Sequence, residues 1–191
     1  MVMHEGGIVT GPPFIFCDVE ASGFAGIPIE IGWAILPAGF ETPEDALRSD
    51  GFLVRPSNRW LVDSTIEWNP RAEALHGIAR STLLAEGLSI AECIEILVRE
   101  WGGRTVWCNS RNADRGWLEV LFAEPSGVMG LPFRLKYWEG LFTTYWTENS
   151  RPILAAREAL AALPVHHRAR LDAVRLALAF AAAWQADGRN S

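Results

Sequence analysis

Near the start of the chain, Phe14-Ile15-Phe16-Cys17-Asp18-Val19 is a short, almost unbroken apolar run whose one charge falls near its C-terminal end. A run of this length without alternation is the pattern of a central strand covered on both faces. Ile27 to Leu36 reads as a second strand, after a turn made by Gly23, Gly26 and Pro28. Gly51 to Arg55 reads as a third, and the three predict an antiparallel meander. Helices then alternate with strands. Ser89-Ile90-Ala91-Glu92 is a capping box opening a helix that runs to Trp101, where Gly102-Gly103 stops it. Arg104 to Cys108 follows as a strand, Asp114 to Glu124 as a helix ended near Pro125, and Phe133 to Trp138 as a last, edge strand. Arg151-Pro152 starts a helix with proline in its first turn, and Pro164 separates it from a long alanine-rich helix, His167 to Ala186. The order predicts an α/β fold with a mixed five-stranded sheet flanked by helices.

Composition limits what such a fold can do. The chain has 191 residues, 49% hydrophobic, with nine Trp and nine Phe, which excludes disorder and suits one domain over residues 1–191. No stretch approaches the length of a membrane span, and Met1 to Thr10 lacks a basic segment followed by an apolar one. A soluble, cytoplasmic protein without a membrane partner is expected. Cys17, Cys93 and Cys108 are odd in number and widely spaced in apolar surroundings, so they read as buried, reduced thiols and not as a zinc site. The net charge of -6 argues against a basic face that grips duplex DNA, without excluding nucleic acid as a substrate. Lys136 is the one lysine among 17 basic residues, so phosphate contacts would fall to arginines. A GC-rich genome produces the same bias.

Chemistry concentrates at Asp18-Val19-Glu20. Residues two apart on a strand share a face, so both carboxylates point to one side of the sheet at its rim. Two carboxylates that close repel unless a cation neutralises them, and oxygen donors of this charge suit Mg²⁺ or Mn²⁺. A solvated strand end with two unrelated acids is the competing reading. Asp114 starts a helix after the turn Asn109-Ser110-Arg111-Asn112, where a helix N-cap explains it equally well. His167 and Asp172 are five residues apart and share a side only where His167 lies in an irregular lead-in to its helix. His166 stands beside it as the other candidate. Asp172, flanked by Leu171 and Ala173, is an acid in an apolar helix, which is uncommon without a partner.

The segment Phe14 to Gly23 followed by Pro28-Ile29-Glu30-Ile31-Gly32 resembles the first motif of the DEDDh 3′→5′ exonucleases of the ribonuclease H-like superfamily. Trp107 to Asp114 with Trp117-Leu118 resembles the second motif, and His167-Arg168-Ala169-Arg170-Leu171-Asp172-Ala173 the third, an H-x4-D segment. Leu75-His76-Gly77-Ile78 is similar to a segment between the first two, and the likeness covers the core from about 14 to 186. The resemblance implies a ribonuclease H-like fold in which Asp18, Glu20, Asp114 and Asp172 hold two divalent ions, Mg²⁺ or Mn²⁺, and His167 is the general base. It implies release of nucleoside 5′-monophosphates from 3′ ends. Ala21, Cys108 and Ala113 depart from residues common in the family.

For substrate contact the candidates are Ala21, Ser22, Gly23, Phe24, Trp68, His76 and Asn109, with Phe24, Trp68 and His76 able to stack on bases. Trp68 as a loop anchor and His76 as a structural histidine are the alternatives. Trp33 reads as core. Arg71, Arg111, Arg115, Arg168 and Arg170 would offset repulsion from phosphates. The expected partner is a single-stranded or frayed 3′ end of DNA or RNA. The aromatics of the 133–146 region, taken as exposed, offer a surface for a homodimer. Two other functions compete: a non-catalytic nucleic-acid-binding module of the same fold, and a phosphoesterase acting on small nucleotides.

Overall fold

In the computed structural model, residues 13–40, 46–127 and 129–188 are described, with only the backbone of Arg111; Met1 to Thr10 lies outside them. The strands are β1 (Phe14–Ala21), β2 (Pro28–Leu36), β3 (Arg48–Leu53), β4 (Thr105–Cys108) and β5 (Arg134–Tyr137). They form one sheet in the order β3-β2-β1-β4-β5. The β3-β2-β1 half is the expected antiparallel meander, while β4 and β5 join β1 in parallel. Helices α1 (Asn58–Val62), α2 (Pro70–His76), α3 (Arg80–Glu86), α4 (Ile90–Trp101) and α5 (Arg111–Ala123) follow β3, interrupted by β4. Helices α6 (Glu139–Tyr145), α7 (Arg151–Ala162) and α8 (Ala169–Ala186) follow β5.

The apolar run in β1 is explained by its two covered faces. Ile15, Cys17 and Val19 join a core with Trp33, Leu83, Leu97, Trp101, Leu118 and Leu121, so α3, α4 and α5 cover that face. Phe14 and Phe16 meet the other core, where Leu141, Phe142, Ile153, Phe180 and Trp184 bring α6, α7 and α8. The capping box at α4 is closed in both directions, with Ser89 Oγ accepting from Glu92 N at 3.3 Å and Glu92 Oε2 accepting from Ser89 N at 2.8 Å. All three cysteines are buried free thiols. Among the described residues no helix is long and apolar enough to cross a membrane.

Several boundaries differ from the sequence reading. Strand β3 starts at Arg48 and not Gly51, because the polar stretch Arg48-Ser49-Asp50 completes the outer edge by pairing with Trp33, Ala34 and Ile35. Helix α5 takes in the second half of the polar turn before Asp114, so that residue lies inside the first turn and Ser110 is the N-cap. Helix α8 begins only at Ala169, leaving His167 outside it. Phe133, Trp138, Phe142 and Trp146 are buried and not exposed as the sequence reading has them, whereas Tyr137 of the same region is exposed. Phe142 lies 6.1 Å from Phe180 and Trp146 6.1 Å from Trp184, ring centre to ring centre, because α6 folds back onto α8.

Candidate active site

The C-terminal half of β1 carries Asp18 and Glu20 on the α8 face of the sheet, opposite Gly32 and Glu30 of β2. Glycine is required at 32 because a Cβ there would sit 2.0 Å from the backbone nitrogen of Arg170. The first turn of α8 therefore lies directly on the sheet. That contact delivers Asp172, which is buried. Its Oδ1 accepts a hydrogen bond from the backbone N–H of His166 at 3.1 Å. His167 follows with φ of 51°, in the left-handed region that a non-glycine residue occupies only where its surroundings enforce it. This turn brings together side chains that a regular helix would separate: potential ligand atoms of Glu20, His167 and Asp172 all lie within 4.8 Å of one another. His167, and not the exposed His166, belongs to this group.

Asp18 and Asp114 stand outside that trio but act on it electrostatically. Asp114, almost fully buried, accepts from the backbone N–H of Ser110 at 3.0 Å. Burial pushes its carboxyl up to about 7, against opposing hydrogen bonds from Ser110 and the Cys108 thiol. Asp18 is raised well above the usual carboxylate range, first by burial and then by the charges of Asp114, Glu20, Asp172 and Glu30. Glu20 is raised to about 7 by burial and by Asp172, Glu30 and Asp114, with Arg168 pulling the other way. Four carboxylates thus crowd one rim of the sheet with too little positive charge among them. Four carboxylates offer oxygen donors of the kind that fit a hard divalent cation, and a bound ion would relieve the repulsion.

Beside this rim, residues 22–26 form a tight loop that another loop holds. Ser22 Oγ donates to Glu67 O at 2.7 Å and accepts from Ile27 N at 3.0 Å, so its hydroxyl is spent within the fold. Glu67 Oε2 accepts from Ala25 N at 3.0 Å, and Glu67 Oε1 accepts from Asn69 Nδ2 at 2.8 Å. Gly23 packs against Glu67, where a Cβ would fall 2.6 Å from its carboxyl carbon. Phe24 projects from this loop 85% exposed, while its carbonyl accepts from Trp117 Nε1 at 3.2 Å. Ala21 is buried at the end of β1, and Asn109 is exposed just after β4. Trp68 donates through Nε1 to Glu73 at 2.9 Å and lies under Arg80. His76 is buried, its Nδ1 accepts from Ile78 N at 3.0 Å, and its ring also interacts with the backbone of Ala21 at the end of β1. Trp33 is buried in the core, as expected. Of the arginines, Arg115 pairs with Glu119 on its own helix and Arg168 with Glu30, whereas Arg71 and Arg170 are exposed.

Two residues that shape the site were not singled out from sequence, Glu30 and Glu67. Glu30 had a visible signal, a charge between Ile29 and Ile31 in an otherwise apolar strand. Glu67 had none, since the loop it holds, through Ser22 and Ala25, lies more than 40 residues away.

No protein-family model matches this chain, and no curated protein matches it in sequence. Solved structures do. Exonuclease X in complex with 5′ overhanging duplex DNA superposes at TM-score 0.54 and 19% identity, over 91% of this chain and 89% of that one. The nuclease domain of 3′hExo, a DEDDh family member bound to rAMP, superposes at TM-score 0.59 and 14% identity, over 93% and 94%. The zinc-bound E. coli ExoI complex with single-stranded DNA gives TM-score 0.60 and 16% identity over 90% of this chain. The chain shares their fold. It spans 40% of the ExoI chain and nearly the full length of the other two. The α/β architecture that the sequence resemblance implied is therefore present, including the mixed five-stranded sheet.

Proposed function

We propose that this chain is a single-domain DEDDh 3′→5′ exonuclease that removes nucleoside 5′-monophosphates from single-stranded or frayed 3′ ends of DNA or RNA. The observation that carries this reading is the convergence of Glu20, His167 and Asp172 within 4.8 Å, ringed by the charges of Asp18 and Asp114. The similar folds of nucleases crystallised with DNA or rAMP support it. Asp18, Glu20, Asp114 and Asp172 would hold two divalent ions, Mg²⁺ or Mn²⁺, which when bound activate water and stabilise the departing 3′ oxygen. His167, outside the helix and free to face that water, takes its proton. Phe24 offers an exposed ring to the terminal base, and Gly23, pressed against Glu67, fixes the loop that carries it. Three reduced, buried thiols suit a reducing compartment, and the cytoplasm is the location we propose.

Digestion of 5′-labelled single-stranded DNA and RNA oligomers with Mg²⁺ or Mn²⁺, beside EDTA and Asp114→Ala controls, tests this. A metal-dependent ladder shortening from the 3′ end and abolished by the substitution is expected, and the faster polymer names the substrate class. Oligomers left intact by folded protein with both metals contradict it. A mobility shift without cutting would then point to a binding module, and turnover of small nucleotides to a phosphoesterase.

A further inference from the structure

The left-handed turn that aims His167 is held on both sides by contacts that do not involve its imidazole. Upstream, Arg175 of α8 donates to the carbonyls of Leu160 at 2.6 Å and Leu163 at 3.0 Å, fixing the end of α7 and the start of the connecting loop. The neighbouring residue, His166, gives its N–H to Asp172. Downstream the tether runs to the sheet. Glu30 of β2 accepts from Arg168 Nη2 at 2.8 Å and from Arg168 Nε at 3.1 and 3.2 Å, and its Oε2 also accepts from the backbone N–H of Ala169 at 2.9 Å. One carboxylate thus binds the residue after His167 through a bidentate fork and caps the first N–H of α8.

Glu30 makes its hydrogen bonds to Arg168 and the Ala169 N–H, while its charge also reaches Asp18 and Glu20. It is buried on the same sheet face as Glu20, its register partner, with Gly32 two residues on leaving room for the helix backbone. A left-handed residue persists where flanking bonds over-determine it, and here the strongest of those bonds end on Glu30.

We infer that Glu30 is a positioning residue, which sets the placement of the His167 imidazole through Arg168 and the Ala169 N–H without touching substrate or metal. This rests on the exonuclease reading above. Glu30 therefore contributes to turnover only while His167 is present to be positioned.

The test is a double-mutant cycle on a 5′-labelled single-stranded oligomer with Mn²⁺, comparing wild type, Glu30→Gln, His167→Ala and the double variant. Glu30→Gln keeps the side-chain length and an acceptor for Ala169 but loses the charge that holds Arg168. It is expected to lower kcat by about 10–100-fold, with KM changed by less than about threefold. In the His167→Ala background the same change is expected to cost less than about twofold. Equal losses in both backgrounds would overturn the inference, because a merely structural residue adds its cost whether or not His167 is there. Should Glu30→Gln fail to fold, Arg168→Lys, which keeps the charge and loses the fork, carries the same expectation and the same contradiction. Wild-type protein that cuts no oligomer overturns the exonuclease reading and this inference with it; active wild type with an additive cycle overturns the inference alone.

Discussion

Glu20 and Glu30 are register partners on adjacent antiparallel strands, on one face of one sheet, yet they meet opposite surroundings. Glu30 is enclosed and fully engaged, holding the Arg168 fork and the first N–H of α8. Glu20 sits at the open rim among Asp172, Asp114 and Glu30, and its carboxyl is driven up to about 7. A folded chain satisfies a buried charge with a partner wherever stability is the only demand. The first glutamate meets that demand. Glu20 violates it, together with Asp18 and Asp114, and the proposed function explains the violation as a place kept for a cation.

Breaking the comparison at Glu20 should have the largest effect. Glu20→Gln removes a donor without changing volume, and is expected to reduce nuclease turnover by roughly a thousandfold in a labelled-oligomer assay. The same variant should melt at or above the wild-type temperature in EDTA, because it relieves repulsion. A lower melting temperature would show that Glu20 is structural after all. Next comes the seat that separates the two residues' roles. Gly32→Ala places a Cβ 2.0 Å from the Arg170 nitrogen and 2.3 Å from the Ala169 carbonyl carbon, so α8 must lift from the sheet. A loss of about 3 kcal/mol in chemical denaturation is expected, with nuclease activity falling alongside it.

The smallest effect sharpens the contrast through pH. Glu20 and Asp114 have carboxyls raised to about 7 in the fold, above their unfolded values. A raised folded value makes the protonated form the favoured one, so the stability these groups contribute is fully present below roughly pH 4 and is lost as pH rises through about 7. Since Glu20 is partly open to solvent, its expected loss in metal-free protein is about 1–2 kcal/mol, with the buried Asp114 adding in the same direction, read as a falling melting temperature between pH 4.5 and 7.5. Mg²⁺ should shrink that fall, and Glu20→Gln should remove its own share of it.

How much of this was legible in the sequence depended on how local the cause was. Strand β1 and helix α4 were readable because an apolar run and a capping box are completed within ten residues or so. Asp18, Glu20, Asp114 and Asp172 could be named because each sits in a short motif. That Asp114 lies within a helical turn could not be seen, since the polar residues before it look like a loop. The short helices α1, α2, α3 and α6 were missed because helices of five to seven residues carry little periodicity and form through caps and packing, such as Ser57 capping Trp60 and Asn69 capping Arg71. The aromatics around Trp138 looked exposed because nothing local says that α6 folds back over Phe180. The Glu30–Arg168 pair spans 138 residues, and no spacing rule reaches that far.

The most direct measurement is a calorimetric titration of Mn²⁺ into nucleic-acid-free wild type, Glu20→Gln and Glu30→Gln. If the crowded rim is a cation site and the enclosed pair is a brace, wild type binds saturably, Glu20→Gln loses that binding, and Glu30→Gln keeps it. Wild type that takes up no Mn²⁺, or Glu20→Gln that binds as wild type does, would contradict the division of labour between these two glutamates.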